Sequence, residues 1–297
     1  MRPSARPVVA VLAMAAALLT ACAPADDDTE AGGDSTASAS SSASPTADAC
    51  AKESLQTTTP GSLTIATDKP VFEPWFVDDK PESGEGFEGA VAKAVAEKLG
   101  FTASEVTWTR VPFNNVFKPT PKNWDFDINE FSITERRKQA LDFSSPYYDV
   151  SQAVVTVKGS KADGATSLAD LKDLTIGAQV GTTSFQAIKD VIAPNKAPRV
   201  YNSNKDVVTA LNNGQIDALV TDLPTAFFMS AVQLKNGAIV GQLPASGTPE
   251  QFGLVLEKGS PLTDCVSQAV DSLRDDGTLD QLKDKWLAQA AGAPVLQ

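Results

Sequence analysis

Hydroxyl and guanidinium side chains lie close together in residues 125–149, which read DFDINEFSITERRKQALDFSSPYYD. Ser132 and Thr134 can donate and accept hydrogen bonds, and the planar guanidinium of Arg137 can bind both oxygens of a carboxylate. These residue types at this spacing predict a site for a small molecule that carries a carboxylate. A capped surface helix with a solvated basic face would show a similar run of charges, and it is the alternative interpretation.

Two predicted elements position these side chains. Apolar residues recur among the acidic and amide residues of 125–131, which indicates a buried strand. Thr134 has the side-chain oxygen that an N-cap requires, so a short helix is expected to begin at Glu135. Pro146 disfavours helical backbone at Ser145, so the helix is expected to end before this proline.

The same stretch resembles the amino-acid-binding proteins that feed ABC importers. The match is carried by Ser132-Ile133-Thr134, Arg137, Asp142-Phe143-Ser144 and Pro146-Tyr147-Tyr148, and near the end of the chain by Asp276-Gly277-Thr278-Leu279 and Lys285-Trp286. It extends over nearly all of residues 61–288. The resemblance implies an α/β, two-lobed periplasmic-binding-protein-like (type II) fold. Each lobe would be a mostly parallel sheet flanked by helices, with the ligand cleft between the lobes.

The order of predicted elements agrees with this fold. Strands are predicted at 63–67, 103–108, 125–131, 152–157, 174–178, 216–220 and 252–256, and helices at 89–99, 168–172, 207–211, 226–234 and 262–286 and after residues 112 and 184. Such alternation predicts parallel sheets, and the roughly 240 residues from Cys50 onward suit two lobes. The expected organisation is a signal peptide at 1–21, a lipid-anchored disordered linker at 22–49, lobe 1 at 50–155 and 248–297, and lobe 2 at 156–247.

The N-terminus has the form of a lipoprotein export signal. Arg2 and Arg6 precede the apolar run 8–19, which is shorter than the ~20 residues of a membrane-spanning helix. The run ends in LTAC, which resembles the bacterial lipobox, so Cys22 is expected to be acylated; an ordinary signal peptide with a chance cysteine is the alternative. Two acyl chains would anchor the protein to the outer face of the cell membrane. Residues 23–49 have too little apolar surface to fold.

Cysteine count and charge limit the cross-links and partners of the chain. With Cys22 used for the lipid anchor, Cys50 and Cys265 remain, which is an even number of cysteines in an exported chain. A disulfide between them is therefore expected, with two free buried cysteines as the alternative. The chain has 25 Lys and Arg against 37 Asp and Glu, a net charge of −12, which argues against nucleic acid and anionic lipid surfaces as partners. With no histidine and no cluster of metal spacing, neither a metal nor a cofactor is expected.

By resemblance, four loops line the cleft. The first, residues 68–76 (DKPVFEPWF), places Phe72 and its neighbour Trp75 against the ligand and Asp68 next to the ligand's side chain. Burial of both aromatic rings in the core is the alternative. In the second loop, Phe113 takes the place of the family's second stacking aromatic residue, although prolines interrupt the helix that usually follows.

The third loop is the opening stretch. By resemblance, Arg137 holds the α-carboxylate of the ligand with help from Ser132. Asn129 and Glu130 stand where relatives often have small residues. The Glu130 carboxylate could face the ligand's amine or a cationic side chain, or it could point to solvent.

The fourth loop comes from the second lobe. Thr182 and Thr183 precede a helix, whose N-terminal N–H groups favour a carboxylate. Asp222 closes the motif G-x-x-D-A-x-x-x-D that begins at Gly214, and the resemblance implies that it pairs with the α-ammonium. Asp217, within the motif, is expected to be structural.

These observations predict a monomeric binding protein that captures a free amino acid by lobe closure and delivers it to an ABC transporter permease. Asp68 and Glu130 favour a basic amino acid such as arginine or lysine over glutamine, and glutamine over glutamate. The runner-up is an enzyme on the same fold, such as a cyclohexadienyl-type dehydratase, for which only Glu130 or Asp68 could serve in acid–base catalysis. A sensor ectodomain is a third interpretation, opposed by the lack of a membrane-spanning segment and a signalling domain in the sequence.

Overall fold

The computed structural model describes residues 47–245, 247–288 and 292–297. The predicted signal peptide, the acylation of Cys22 and almost all of the expected linker lie outside the described residues. Within the described ranges, no helix is both long and apolar enough to cross a bilayer.

Strands and helices alternate along this part of the chain. The strands are β1 (Leu63–Thr67), β2 (Val106–Arg110), β3 (Phe126–Asp127), β4 (Leu141–Val150), β5 (Gln152–Val157), β6 (Ile176–Gln179), β7 (Arg199–Tyr201), β8 (Ala218–Asp222), β9 (Gly237–Gln242) and β10 (Glu250–Glu257). The α-helices are α1 (Phe87–Lys98), α2 (Phe113–Val116), α3 (Glu135–Lys138), α4 (Thr183–Ala187), α5 (Asn204–Asn212), α6 (Leu223–Phe228), α7 (Thr263–Asp275) and α8 (Thr278–Leu287). Single π-helical turns at Ile188–Ile192 and Met229–Gln233 extend α4 and α6.

The strands form two five-stranded sheets, which confirms the two-lobed α/β architecture. The strand orders are β2-β1-β3-β10-β4 in the first lobe and β7-β6-β8-β5-β9 in the second. β1 is parallel to its neighbours β2 and β3, and β6 is parallel to β7 and β8. β10 and β5 are antiparallel to both of their neighbours, so the sheets are mixed and not mostly parallel. The physical reason is that β5 and β10 enter their sheets directly from the other lobe and run against the parallel strands.

Between consecutive strands, the chain therefore passes from one sheet to the other from β4 to β5 and again from β9 to β10. β5 pairs with β8 from its first residue, Gln152, and with β9 from Ala153, so the first crossing lies at Ser151. This is slightly before the lobe boundary expected at residue 155.

β4 was not expected as a strand, because Pro146 lies in its middle. β4 is at the edge of the first sheet, and Pro146 lies opposite Gly253 where the register with β10 shifts. A proline is tolerated at a bulge of an edge strand, because no ladder hydrogen bond is required from its nitrogen there. The short strands β7 and β9 also lack a sequence pattern that would have predicted them.

Each sheet has its own apolar core. In the first lobe, α1, α7 and α8 cover a core that includes Phe87, Phe126 and Phe252. A disulfide joins Cys50 to Cys265 of α7, with Cα atoms 5.3 Å apart, which confirms the expected pairing and ties the start of the folded chain to this core. The second sheet carries apolar clusters on both of its faces.

The C-terminal residues 292–297, here called the tail, pack on the second lobe although α8 belongs to the first. The amide of Gln242 in β9 donates to the carbonyl of Pro294 at 2.7 Å, and the amide of Leu296 donates back to Gln242 at 2.9 Å. Leu296 is only 1% exposed. The tail is thus an added strand-like segment on the second sheet, whereas residues 248–297 were expected in lobe 1.

Gly241 makes room for the tail, and this gives a test. A Cβ at this position would lie 2.8 Å from the carbonyl oxygen of Pro294 and 2.8 Å from Cγ of Leu296. Gly241→Ala should displace the tail and expose Leu296, which would lower the free energy of unfolding by about 2 kcal/mol, the contribution of one buried leucine. Urea unfolding measures this change.

Gly292→Ala is the matched control, because a Cβ there would meet no atom within 4 Å. Equal stability of the two variants would contradict the stabilising contact between the tail and β9.

Candidate functional site

A cavity of about 290 Å³ is lined by residues of both lobes. This volume is just below the range of about 300–1,000 Å³ for small-molecule sites. Every residue predicted from the sequence to contact a ligand lines it: Asp68, Phe72, Trp75, Phe113, Asn129, Glu130, Ser132, Arg137, Thr182, Thr183 and Asp222. The structure therefore brings the predicted residues together, while their individual roles toward a ligand stay predictions.

Aromatic rings form part of the cavity wall. Phe72 of the first lobe faces Phe228 of the second, with ring centroids 6.3 Å apart. Phe113 begins α2 and stacks on Phe131 at 4.9 Å, with the ring planes 10° apart. Packing behind the wall thus holds the Phe113 ring in place, despite the early end of α2.

Trp75 is both a core residue and a cavity residue. It is 2% exposed, and its ring packs against Phe87, Tyr148 and Phe252. Its indole N–H donates to Oγ1 of Thr225 in the second lobe at 2.7 Å. This hydrogen bond joins the two lobes across the cleft.

Arg137 is held against the cavity by its own helix and by two aromatic rings. The hydroxyl of Thr134 accepts from the Arg137 amide at 3.2 Å, which confirms the predicted N-cap of α3. The guanidinium lies 5.0 Å from the ring centroid of Phe117 and 5.6 Å from that of Phe113. Burial lowers the pKa of Arg137 to about 10, so the group is still cationic at neutral pH.

Two backbone carbonyls orient the guanidinium. One terminal nitrogen of Arg137 donates to the carbonyl of Ser132 at 2.7 Å, and the other donates to the carbonyl of Gly181 at 3.1 Å. Gly181 belongs to the second lobe, so this contact also joins the lobes. A guanidinium has five N–H donors, and the donors beyond these two can serve a carboxylate in the cavity.

Hydroxyl groups of both lobes meet next to Arg137. The hydroxyls of Ser132 and Thr183 are 3.1 Å apart, and Ser132 donates to the carboxylate of Glu250 at 2.5 Å. The Thr182 hydroxyl caps α4 by accepting from the Phe185 amide and donates to a backbone carbonyl. Thr182 is therefore used for local structure, and Thr183 is the hydroxyl of this loop that contacts the opposite lobe.

Three carboxyl groups line the same cavity. Asp68 accepts from the amides of Lys69 at 2.6 Å and Phe113 at 3.3 Å. Glu130 accepts from the hydroxyl of Thr225 at 3.4 Å. Asp222 accepts from the side-chain amide of Gln152 at 2.7 Å. The Glu130 side chain thus lies in the cleft. Of the two orientations predicted for it, toward the ligand or toward solvent, this position agrees with the first.

Burial makes these carboxyl groups reluctant to ionise. It raises the pKa of Asp222 to about 8, with a further contribution from the neighbouring Glu250. Burial also raises the pKa of Glu130 well above its usual range, and the nearby Glu88 and Asp222 add to the effect. The pKa of Asp68 is raised by burial as well. A cation in the cavity would therefore favour the loss of protons from these groups.

The backbone of Glu130 has a conformation that most residues other than glycine avoid. Glu130 has a φ of 52°, in the left-handed region that glycine adopts most easily. Its amide donates at 2.7 Å to Glu88, a completely buried residue in the first turn of α1. The Tyr147 hydroxyl donates to the same oxygen of Glu88. Glu88 thus supports the loop that carries Glu130.

Sequence reasoning missed several residues of the site. Thr225 and Phe228 of α6 line the cavity, and Gln152 and Glu250 contact predicted site residues from behind. A polar residue at the start of an otherwise apolar strand was the only signal for Gln152 and Glu250.

Among the described residues, no group of three or more His, Cys, Asp or Glu could hold a metal ion.

Known proteins are similar to this chain in sequence and in architecture. Residues 63–289 match the bacterial extracellular solute-binding proteins, family 3. The ABC transporter glutamine-binding protein of Bacillus subtilis (strain 168) is 30% identical over 214 residues, which are 70% of this chain and 76% of that protein. The arginine-binding extracellular protein of the same organism is 29% identical over 208 residues, 68% of this chain and 77% of that protein.

A solved structure agrees with the sequence matches. An ancestral arginine-binding protein bound to arginine superposes with a TM-score of 0.62 and 32% identity, covering 76% of this chain and 98% of that one. All three relatives are named as amino-acid-binding proteins and none as an enzyme. The chain therefore belongs to the bacterial extracellular solute-binding proteins of family 3, among the amino-acid-binding, non-enzymatic members that serve ABC transporters.

Proposed function

We propose that this protein captures a free amino acid, preferably a basic one, by lobe closure and delivers it to the permease of an ABC transporter. We further propose that acylated Cys22 anchors it to the outer face of the cell membrane as a monomer. The observation that carries the proposal is that Arg137 from the first lobe and Asp222 from the second line one cavity. An α-carboxylate can pair with Arg137 and an α-ammonium with Asp222.

Contacts across the cleft explain how a ligand favours closure. Trp75 donates to Thr225, Arg137 donates to Gly181, and the hydroxyl of Ser132 meets that of Thr183. These hydrogen bonds form only when the lobes are together. A ligand that contacts both lobes adds differential binding energy to the closed state, which is the requirement for a population shift.

The preference for a basic ligand follows from the balance of charge. Asp68, Glu130 and Asp222 place three carboxyl groups around the cavity, and burial raises the pKa of each. A zwitterion satisfies only one of them, whereas a cationic side chain can pair with a second. Glutamine can donate from its amide to Asp68 or Glu130, so it follows in the expected order, and glutamate comes last.

A binding screen tests the proposed function. The full chain, purified in mild detergent, is titrated calorimetrically with each common amino acid and with a cyclic acid such as prephenate. Arginine or lysine should bind most tightly, followed by glutamine. Binding of glutamate alone would overturn the side-chain preference, and consumption of the cyclic acid without amino-acid binding would favour the dehydratase function.

Arg137→Ala should weaken binding of the preferred amino acid at least a hundredfold, because it removes charge-assisted hydrogen bonds to the α-carboxylate. Arg136→Ala is the matched control, since Arg136 lies on the same short helix and is exposed. Calorimetric titration of both variants measures the difference. Retention of wild-type affinity in Arg137→Ala would reject the assigned role.

Asp68→Asn should weaken arginine far more than its neutral analogue citrulline, because the substitution removes a charge that only arginine can use. A loss of about tenfold for arginine corresponds to one hydrogen bond between charged groups. The ratio of the two dissociation constants, compared between wild type and variant, is the measurement. Equal losses for both ligands would reject Asp68 as the side-chain reader.

Binding should also strengthen as the pH rises from 6 to 8. The α-ammonium requires an ionised Asp222. Burial raises the pKa of Asp222 to about 8 without ligand, so only a small fraction of its carboxyl group is ionised at pH 6. We expect affinity for arginine to rise about tenfold or more over this interval. In Asp222→Asn, binding should be weak throughout and the rise should be smaller; an unchanged rise would assign it to another group.

A further inference from the structure

A chain of hydrogen bonds runs behind the cavity, through the first residues of the two strands that cross between the lobes. Ser132 donates to Glu250 at 2.5 Å, Gln152 donates to Glu250 at 3.1 Å and to Asp222 at 2.7 Å. Gln152 begins β5 and Glu250 begins β10. The chain thus connects the proposed carboxylate end of the site, at Ser132, with the proposed ammonium end, at Asp222.

The side-chain amide of Gln152 is held in one orientation by its partners. Its nitrogen donates to carboxylates on two different elements, while its oxygen is buried and has no hydrogen-bond partner among the described residues. Turning the amide over would place that oxygen against both Asp222 and Glu250. The NH2 group of Gln152 therefore lies between the carboxylates of Asp222 and Glu250 and donates a hydrogen bond to each.

Glu250 sets the direction of the hydroxyl groups next to Arg137. Because a carboxylate only accepts, Ser132 donates to Glu250 and its oxygen then accepts from Thr183. In this arrangement the Ser132 proton is directed away from the cavity. Arg137 is then the main donor for a ligand carboxylate, and Ser132 acts through its carbonyl, which orients the guanidinium.

We propose that Gln152 and Glu250 are positioning residues. They hold Arg137 and Asp222, the two charged ends of the ligand site, in their relative positions where the chain crosses between the lobes. Gln152 keeps the Asp222 carboxylate turned into the cavity and usable by an ammonium group. Glu250 keeps Ser132, and through it Arg137, in place. The inference rests on the proposed function for the roles of Asp222 and Arg137.

The charged groups around Asp222 give the two residues opposite effects on it. Glu250 from β10 and Glu130 from the loop after β3 repel its negative charge, whereas Arg137 from α3 favours it. The nearby titratable groups of β4 are the hydroxyls of Tyr147, which is buried, and of Tyr148, which is half-buried. The Gln152 amide stabilises the ionised form directly. Loss of Gln152 should therefore raise the pKa of Asp222, and loss of the Glu250 charge should lower it.

The test compares Gln152→Leu and Glu250→Gln in the full chain by calorimetric titration with arginine between pH 5.5 and 9. Gln152→Leu should bind about tenfold more weakly at pH 7, and the midpoint of its pH profile should move to higher pH. The midpoint of Glu250→Gln should move to lower pH. Gln251→Leu is the matched control, because Gln251 follows Glu250 in β10 and its side-chain amide donates to the exposed residue Asp149.

A second measurement does not depend on a ligand. A group whose folded pKa is raised stabilises the folded state below its unfolded pKa, and this stability is lost as the pH rises through the folded pKa. For Asp222 the loss falls between about pH 4 and pH 8. In Gln152→Leu the loss of unfolding free energy should continue to higher pH than in wild type.

The outcomes separate this inference from the proposed function. If no amino acid binds to wild type but the ligand-free stability profile still shifts in Gln152→Leu, the proposed function fails and the positioning of Asp222 stands. If wild type binds arginine and neither profile moves in Gln152→Leu, the inference is wrong. A lower stability with unmoved midpoints would also overturn it, because that is the result of a merely structural role.

Discussion

Burial of carboxyl groups with few hydrogen-bond donors is the constraint on which the rest of this structure depends. Glu88 is completely buried, and its pKa is raised to about 7 by burial, although Tyr147 and the Glu130 amide donate to it. Asp127 is also completely buried, and neither of its oxygens has a partner in the described part of the chain. Burial raises the pKa of Asp127 well above its usual range. Burial therefore makes both groups harder to ionise than a solvent-exposed carboxyl group, and an approaching cation would favour their ionisation.

This constraint connects charge to lobe closure. Bringing the lobes together places Glu130 of one lobe near Asp222 of the other, and each disfavours the ionised form of the other. The closed state also gains the hydrogen bonds of Trp75 and Arg137 to the second lobe. Under the proposed function, a cationic ligand would remove the repulsion and keep these contacts, which would make closure of the cleft depend on the charge of the ligand.

Much of the site was predictable because its parts are local in sequence. Thr134 caps the helix that carries Arg137, and both lie within six residues of Ser132. Local capping chemistry and a resemblance to one family were sufficient for these residues. Pairings between distant segments were not predictable: β4 contains a proline, and only its position at the edge beside β10 makes it a strand. The tail likewise joins the second lobe through contacts with β9 that no local pattern indicates.

By itself, the sequence determined the fold class, the two lobes, the disulfide partners and part of the cavity lining, because each depends on residue type, spacing or a family motif. Only the tertiary structure decided that the Glu130 carboxylate faces the cleft, that Ser132 donates to Glu250, and that Gln152 joins Asp222 to the crossing strands. These facts depend on where segments about 70 to 120 residues apart meet. The direction of the Ser132 hydroxyl and the ionisation of the buried carboxyl groups depend on neighbouring groups in the folded protein, which cannot be read from the sequence.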